Sequence, residues 1–199
     1  GLFEGVCCVC EGEEDILYAV VLRGAKRYIE RFESRNVLDV RDGWFVDCGL
    51  KFDGANAGST SITFTLANGI YTATASAPLF GLGLLDQIVL LEGRVAYRWN
   101  IVSAETNTRA TVVPVRAPLP SHLGTPITAW SRGRTTSSGM GHLEGKALSV
   151  LTDGFACAES VVVSGGSFTL EKPAFKVIAG LPYVSDLETL GVNAGGEQY

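Results

Sequence analysis

Apolar and polar residues alternate with a period of two through most of this chain, in short runs closed by glycine-containing turns. That is the signature of β-strands with one buried face. An apolar run over residues 2–10 predicts a first strand. The acidic turn Glu11 to Asp15 leads into a second strand over Ile16 to Leu22. Arg23-Gly24-Ala25-Lys26 then turns into a third over Arg27 to Phe32. Three strands and two turns at this spacing make a β-meander, which fits one blade of a propeller or the edge of a larger sheet. Three strands alone are a marginal fold, so further packing partners are expected.

Residues 34–43 are polar with alternating charge and read as a connection with a short helical turn, leading into Trp44 to Leu50. Ile62, Phe64 and Leu66 alternate with Thr63 and Thr65, a strand with one buried face. From residue 70 onward, strands are expected at Ile70–Ser76, Gln87–Leu91, Arg94–Val102 and Thr111–Val115, with a short closing strand at Ile127–Trp130. Loops are expected at Pro78–Asp86 and Leu119–Pro126. Pro114 cannot donate to a ladder and marks an edge or a strand end. This set suits a small closed barrel, which leaves few free edges. Ser131 to Gly139 has no apolar alternation and reads as a return linker. Leu148 and Val150, the Asp153-Gly154 turn, Val161 and Val163, the Ser164-Gly165-Gly166-Ser167 turn, and Phe168 and Leu170 form the closing strands. The one helical candidate is Ser185 to Leu190. The expected fold is therefore all-β: a β-meander over 1–35, a split β-domain over 36–69 plus 140–190, and an inserted small β-barrel over 70–139.

Composition sharpens this picture. Hydrophobic residues are 46% of the 199 positions, enough for a sizeable core, while charged residues are only 19% and Gly numbers 24. Low charge with many turns leaves large neutral surfaces, which suit permanent assembly. The net charge of −5 opposes a general grip on nucleic acid, which needs a basic face. The tract Trp130-Ser131-Arg132-Gly133-Arg134 is the local candidate for DNA contact, because Trp can stack on a base and Arg can pair with phosphate. Trp44, Trp99 and Trp130 are either core anchors or the platform of a sugar site. Trp99, Trp130, Arg132 and Arg134 are accordingly the candidate ligand or partner contacts.

The five cysteines are Cys7, Cys8, Cys10, Cys48 and Cys157. An odd count at irregular spacing is a poor disulfide framework. Val6 to Cys10 reads as a buried strand in which cysteine acts as a small apolar residue, implying a reducing cytosol. Zinc would need a second ligand pair, and the only histidines are His122 and His142. The acidic cluster Glu11, Glu13, Glu14 and Asp15 lacks the alternation of a calcium loop. It also lacks the opposed carboxylates of a glycosidase. No Gly-x-Ser-x-Gly elbow occurs, and Gly81-Leu82-Gly83 lacks the remainder of a dinucleotide fingerprint. No catalytic residue, metal or cofactor is therefore expected. No apolar run reaches the roughly 18 residues of a membrane span. The chain begins without Met, directly on a strand, and is expected to be a piece of a longer polypeptide or a processed product.

Four groups of segments appear in a telling order: Tyr28-Ile29-Glu30-Arg31-Phe32-Glu33; Phe45-Val46-Asp47-Cys48-Gly49-Leu50; His142-Leu143-Glu144-Gly145-Lys146 with Leu151-Thr152-Asp153-Gly154; and Gly180-Leu181-Pro182-Tyr183. This series, across about residues 14–190, resembles a family of bacteriophage tail proteins described as tail nozzle, tail tubular or stabilisation proteins. The resemblance implies a propeller-like region ending in an I-E-R strand, then a β-domain interrupted by a small barrel. That barrel resembles a half-domain of ubiquitin-activating enzymes. Cys48 stands where the family has Ser. The resemblance further implies a non-enzymatic virion component made in the bacterial host cytoplasm. It would form a ring homo-oligomer, bind other tail or adaptor proteins and meet DNA only transiently, with the barrel on the outside or rim. The alternative expectation is a carbohydrate-binding or host-recognition module of a phage tail.

Overall fold

The computed structural model describes residues 2–12, 14–33, 39–81 and 86–182. The protein is all-β. Fifteen strands among the described residues form three antiparallel sheets, and the only helical segments there are single 3-10 turns at Val40–Asp42, Pro120–His122 and Gly141–Leu143. The helical candidate at 185–190 lies outside the described residues.

The first sheet is the meander: β1 (Leu2–Glu11), β2 (Glu14–Arg23) and β3 (Lys26–Arg31) in that order. Both turns are tight, with Gly12 and Gly24 at positive φ, where an L side chain is disfavoured. The expectation that Val6 to Cys10 is buried is overturned. Every described residue of β1 is exposed, Cys7, Cys8 and Cys10 included. The strand has one neighbour, β2, and lies at the sheet edge. Apolar composition drives burial only where a second layer exists to receive it.

The second sheet has seven strands in the order β14-β10-β7-β8-β9-β6-β5. These are β5 (Ile62–Ala67), β6 (Ile70–Ala75), β7 (Gln87–Glu92), β8 (Val95–Ala104), β9 (Arg109–Pro114), β10 (Ser131–Ser138) and β14 (Ser167–Ala174). Its far edge does not end freely. The segment before β10 runs along β5 through hydrogen bonds between the backbones of Ile62 and Ile127 (2.8 Å each way), and Gly124 N donates to Phe64 O. The sheet thus curls round a core of Ile62, Phe64, Ala73, Ile88, Trp99, Ala110, Val112 and Trp130.

Two boundaries move. β5 pairs in register with β6, Ala67 opposite Ile70, so a division at 69/70 cuts a hairpin whose two strands share one core. Residues 131–139 are not a linker: β10 pairs with β7 through its first half and with β14 through its second. Its inward positions are Ser131, Gly133 and Thr135, small polar residues or glycine held by ladders on both sides, so no hydrophobic period announces them. Ile127 to Trp130 contributes only the single bridge at Ile127 rather than a strand.

The third sheet runs β12 (Phe155–Ala156), β11 (Ala147–Thr152), β15 (Lys176–Leu181) and β4 (Asp47–Asp53), with β13 (Val161–Val162) also pairing β11. Its core contains Met140, Leu143, Leu148, Val150, Val161, Val163, Phe168, Leu170, Val177 and Ala179. Phe168 and Leu170 come from β14, so that strand ladders with the second sheet while packing the core of the third.

Candidate functional site

The four side chains nominated by sequence do not meet as a site. Trp99 is 0% exposed and stacks on Phe64 at 4.2 Å between ring centroids; Trp130 is 7% exposed and donates its indole N–H to Thr60 O at 2.9 Å. Both belong to the core of the second sheet and offer no face to a sugar. Arg132 is folded onto the carboxylate of buried Asp86, with Nε 2.9 Å from Oδ2. Arg134, two residues on along the same strand, is exposed. The two arginines share a strand face, but the Arg132 charge is taken up by Asp86, so they do not form a joint phosphate grip.

His122 is buried, with the Leu119 N–H donating to Nδ1 (3.3 Å) and Nε2 facing Glu92 Oε1 (3.3 Å). A backbone N–H can only donate, so Nδ1 accepts and Nε2 carries the proton. The edge of the Tyr97 ring closes over it at 4.6 Å. Both ring nitrogens are thereby occupied. Among the described residues no three His, Cys, Asp or Glu side chains converge as a metal set, and no helix is long and apolar enough to cross a membrane. The acidic turn between β1 and β2 contributes Glu14 and Asp15 to a depression of about 400 Å³ shared with Ile16, Leu17, Phe32 and Glu33.

What the structure does bring together is the set of segments that carry the resemblance. On the meander, Ala19 lies opposite Glu30 and Val21 opposite Tyr28, so Glu30 is a charge on an otherwise apolar face. Arg23 answers it with Nε at 2.5 Å and Nη2 at 2.9 Å from the two carboxylate oxygens. The same guanidinium reaches Asp47 at the start of β4, at 2.7 and 3.1 Å. Cys48 follows at φ +57 and donates its thiol to Glu30 (3.5 Å). Its carbonyl accepts from His142 Nε2 (3.0 Å), and the His142 ring packs against Tyr28 at 5.7 Å. Arg23, then desolvation in the opposite sense, sets Glu30, whose carboxyl is held below its ordinary value. Burial pushes the Cys48 thiol up to about 12, so it stays a neutral donor.

The remaining motif residues are structural in the same way. Glu144 receives the N–H groups of Gly165 and Gly166 (2.9 and 2.7 Å), both glycines at positive φ, and so clamps the turn before β14. Gly49 and Gly180 face each other across β4 and β15. A Cβ on Gly180 would lie 2.7 Å from Gly49 Cα and 2.8 Å from Asp47 O. Asp153, in the turn after β11, accepts from the Phe175 and Lys176 N–H groups (3.0 and 2.8 Å) and from Arg98 of β8 (2.6 Å). Arg98 and Arg41 both lie over the Phe175 ring, at 5.5 and 5.8 Å.

Sequence reasoning read the Asp153-Gly154 turn but missed its carboxylate as an anchor, and missed Arg23, Glu30 and Arg98 altogether. A signal for Glu30 was present: an acid in phase with Tyr28 and Phe32 on an apolar strand face requires a partner. Arg98 and Asp153 are far apart in sequence, and nothing local links them. No protein-family model matches this chain, and no curated protein matches it.

Proposed function

We propose that this chain is a non-enzymatic structural component of a bacteriophage tail, resident in the virion, that assembles with copies of itself into a ring or conduit and contacts neighbouring tail or adaptor proteins. The observation that carries the reading is the use made of the motif residues. Glu30, Asp47, Cys48, His142, Glu144 and Asp153 are each consumed in contacts between strands, turns or sheets. The chemistry of the segments that resemble tail proteins is therefore spent on holding architecture. The surface supports assembly as well. Leu2, Phe3, Val6 and Ile29 on the meander and Ile70 and Val113 on the second sheet are exposed, and apolar surface of that kind favours stable interfaces. Rings form from head-to-tail contacts that close on themselves.

The test is light scattering after size exclusion, followed by electron microscopy of the eluted particle. A discrete ring of several copies is expected. A strict monomer over a wide concentration range, or clearing of a cell-wall or capsular polymer by the purified chain, would count against the proposal.

A further inference from the structure

The meander is joined to the rest of the molecule differently from the other two sheets. β14 places Phe168 and Leu170 in the core of the third sheet, and Gly54 at the end of β4 accepts from the backbone of Arg132 on β10. By contrast, no ladder among the described residues joins β1, β2 or β3 to another sheet, and neither apolar core includes a meander residue. Ile16, Ala19 and Val21 of β2 are buried all the same, and the contacts seen to cross from the meander to the third sheet are polar: Arg23 on Asp47, Cys48 on Glu30, the Tyr28 ring against His142, and Lys51 with Glu33 at 3.2 Å. Units of one chain move relative to one another where the interface between them is not large and apolar.

Arg23 is the group that spans this interface. It grips Glu30 of its own sheet and Asp47 of β4 with two hydrogen bonds each, and all three side chains lie beside Cys48. Without the guanidinium, two carboxylates would be left facing each other, and like charges at that range repel. A lysine could neutralise them but could not form both forked contacts.

We propose that this junction is a latch. With Arg23 engaged, the meander is fixed on β4 and the half-buried Cys48 thiol is held on Glu30; when Arg23 lets go, the sheet swings from the third sheet and Cys48 is fully uncovered. This inference does not depend on the tail reading. Cys48 is the built-in reporter of the latch. Cys7, Cys8 and Cys10 are exposed and serve as internal references, and Cys157, packed against the third-sheet core, reports general unfolding.

The experiment is alkylation of the folded chain with iodoacetamide, with the rate at each cysteine read by peptide mass spectrometry. Cys48 is expected to react at least about 100-fold more slowly than Cys7, Cys8 and Cys10. Arg23→Ala should raise the Cys48 rate about 10-fold or more while Cys157 stays unchanged, with Arg23→Lys between the two. The proposal fails if Cys48 in the native chain reacts as fast as the β1 cysteines, or if Arg23→Ala leaves its rate alone. It also fails if Cys157 accelerates in step, because the opening is then that of the whole fold.

Discussion

Trp99 and Trp130 occupy one core and differ in a single bond. The Trp130 indole N–H reaches Thr60 O, whereas the buried Trp99 Nε1 has no hydrogen-bond partner among the described residues. Replacing either by Phe removes the same volume and opens a similar cavity. At position 99 the change also removes an unpaired buried donor, which itself costs about 1–3 kcal/mol. At position 130 it removes one of the two hydrogen bonds to Thr60 O, which keeps the Asn56 side-chain amide as a donor at 2.8 Å. Trp130→Phe is therefore expected to destabilise more than Trp99→Phe, by about 1 kcal/mol or more, in urea unfolding midpoints at constant slope. The reverse order would show that stacking of Trp99 on Phe64 and against Tyr71 outweighs its unpaired N–H. At this scale the sequence left two readings of each tryptophan open. Alternation places Trp99 in phase with Ile101 but does not say which phase is covered. The β1 cysteines show the same ambiguity resolved the other way, since a strand as apolar as residues 2–10 proves to be an exposed edge.

At the scale of elements, Gly54 is where three strands are tied. Its N–H donates to Phe175 O and its carbonyl accepts from Arg132 N, each at 2.7 Å, at the end of β4, the start of β10 and the approach to β15. A Cβ there would lie 2.0 Å from Arg132 O and 3.1 Å from Phe175 O, both backbone atoms that cannot turn aside. Gly54→Ala is expected to cost about 3 kcal/mol or more. Gly58→Ala, whose Cβ would meet only Asn56 Oδ1 at 3.8 Å, should change stability by less than about 1 kcal/mol. Thermal unfolding of the two variants beside the native chain decides it, and equal losses would remove Gly54 from its role. Periodicity made β2, β3, β5 to β9 and β11 legible, because each sets large apolar side chains in one phase. It could not reveal β10, whose buried positions are small or polar. Nor could it show that β5 belongs with β6, because the turn at Asn68-Gly69 looks the same whether it joins or divides domains.

At the scale of the whole molecule, charge fixes how the sheets sit on one another. Arg23 with Asp47 ties the meander to β4, Arg98 with Asp153 ties the second sheet to the third, and Lys176 with Asp42 ties the connection to β15. The partners of the last two pairs stand far apart in sequence, which is why the order of the units could be read from the chain and their mutual attachment could not. Stability should accordingly depend on pH at both ends. Glu30 is held below its ordinary 4.5 by Arg23, and Asp39 is held down to about 2 by the side chain and backbone N–H of Arg41. As pH falls from about 4.5 towards 2, the unfolded chain takes up protons that the folded chain refuses, so folded stability is lost across that window. Cys48 works in the opposite direction. Its thiol is raised from 9.0 to about 12, so between those values the unfolded chain sheds a proton that the folded chain keeps, and stability falls as pH rises. A plateau between the two limbs is expected in urea midpoints measured from pH 2 to 11. Glu30→Gln should shrink the acid limb by removing one of its titrating groups, and Cys48→Ser should flatten the alkaline limb, since a hydroxyl does not ionise there. If Cys48→Ser left the alkaline limb intact, the limb would belong to another group, such as the Tyr18 hydroxyl that Glu11 holds above its ordinary 10.0, and the Cys48 thiol would not be held neutral by the junction.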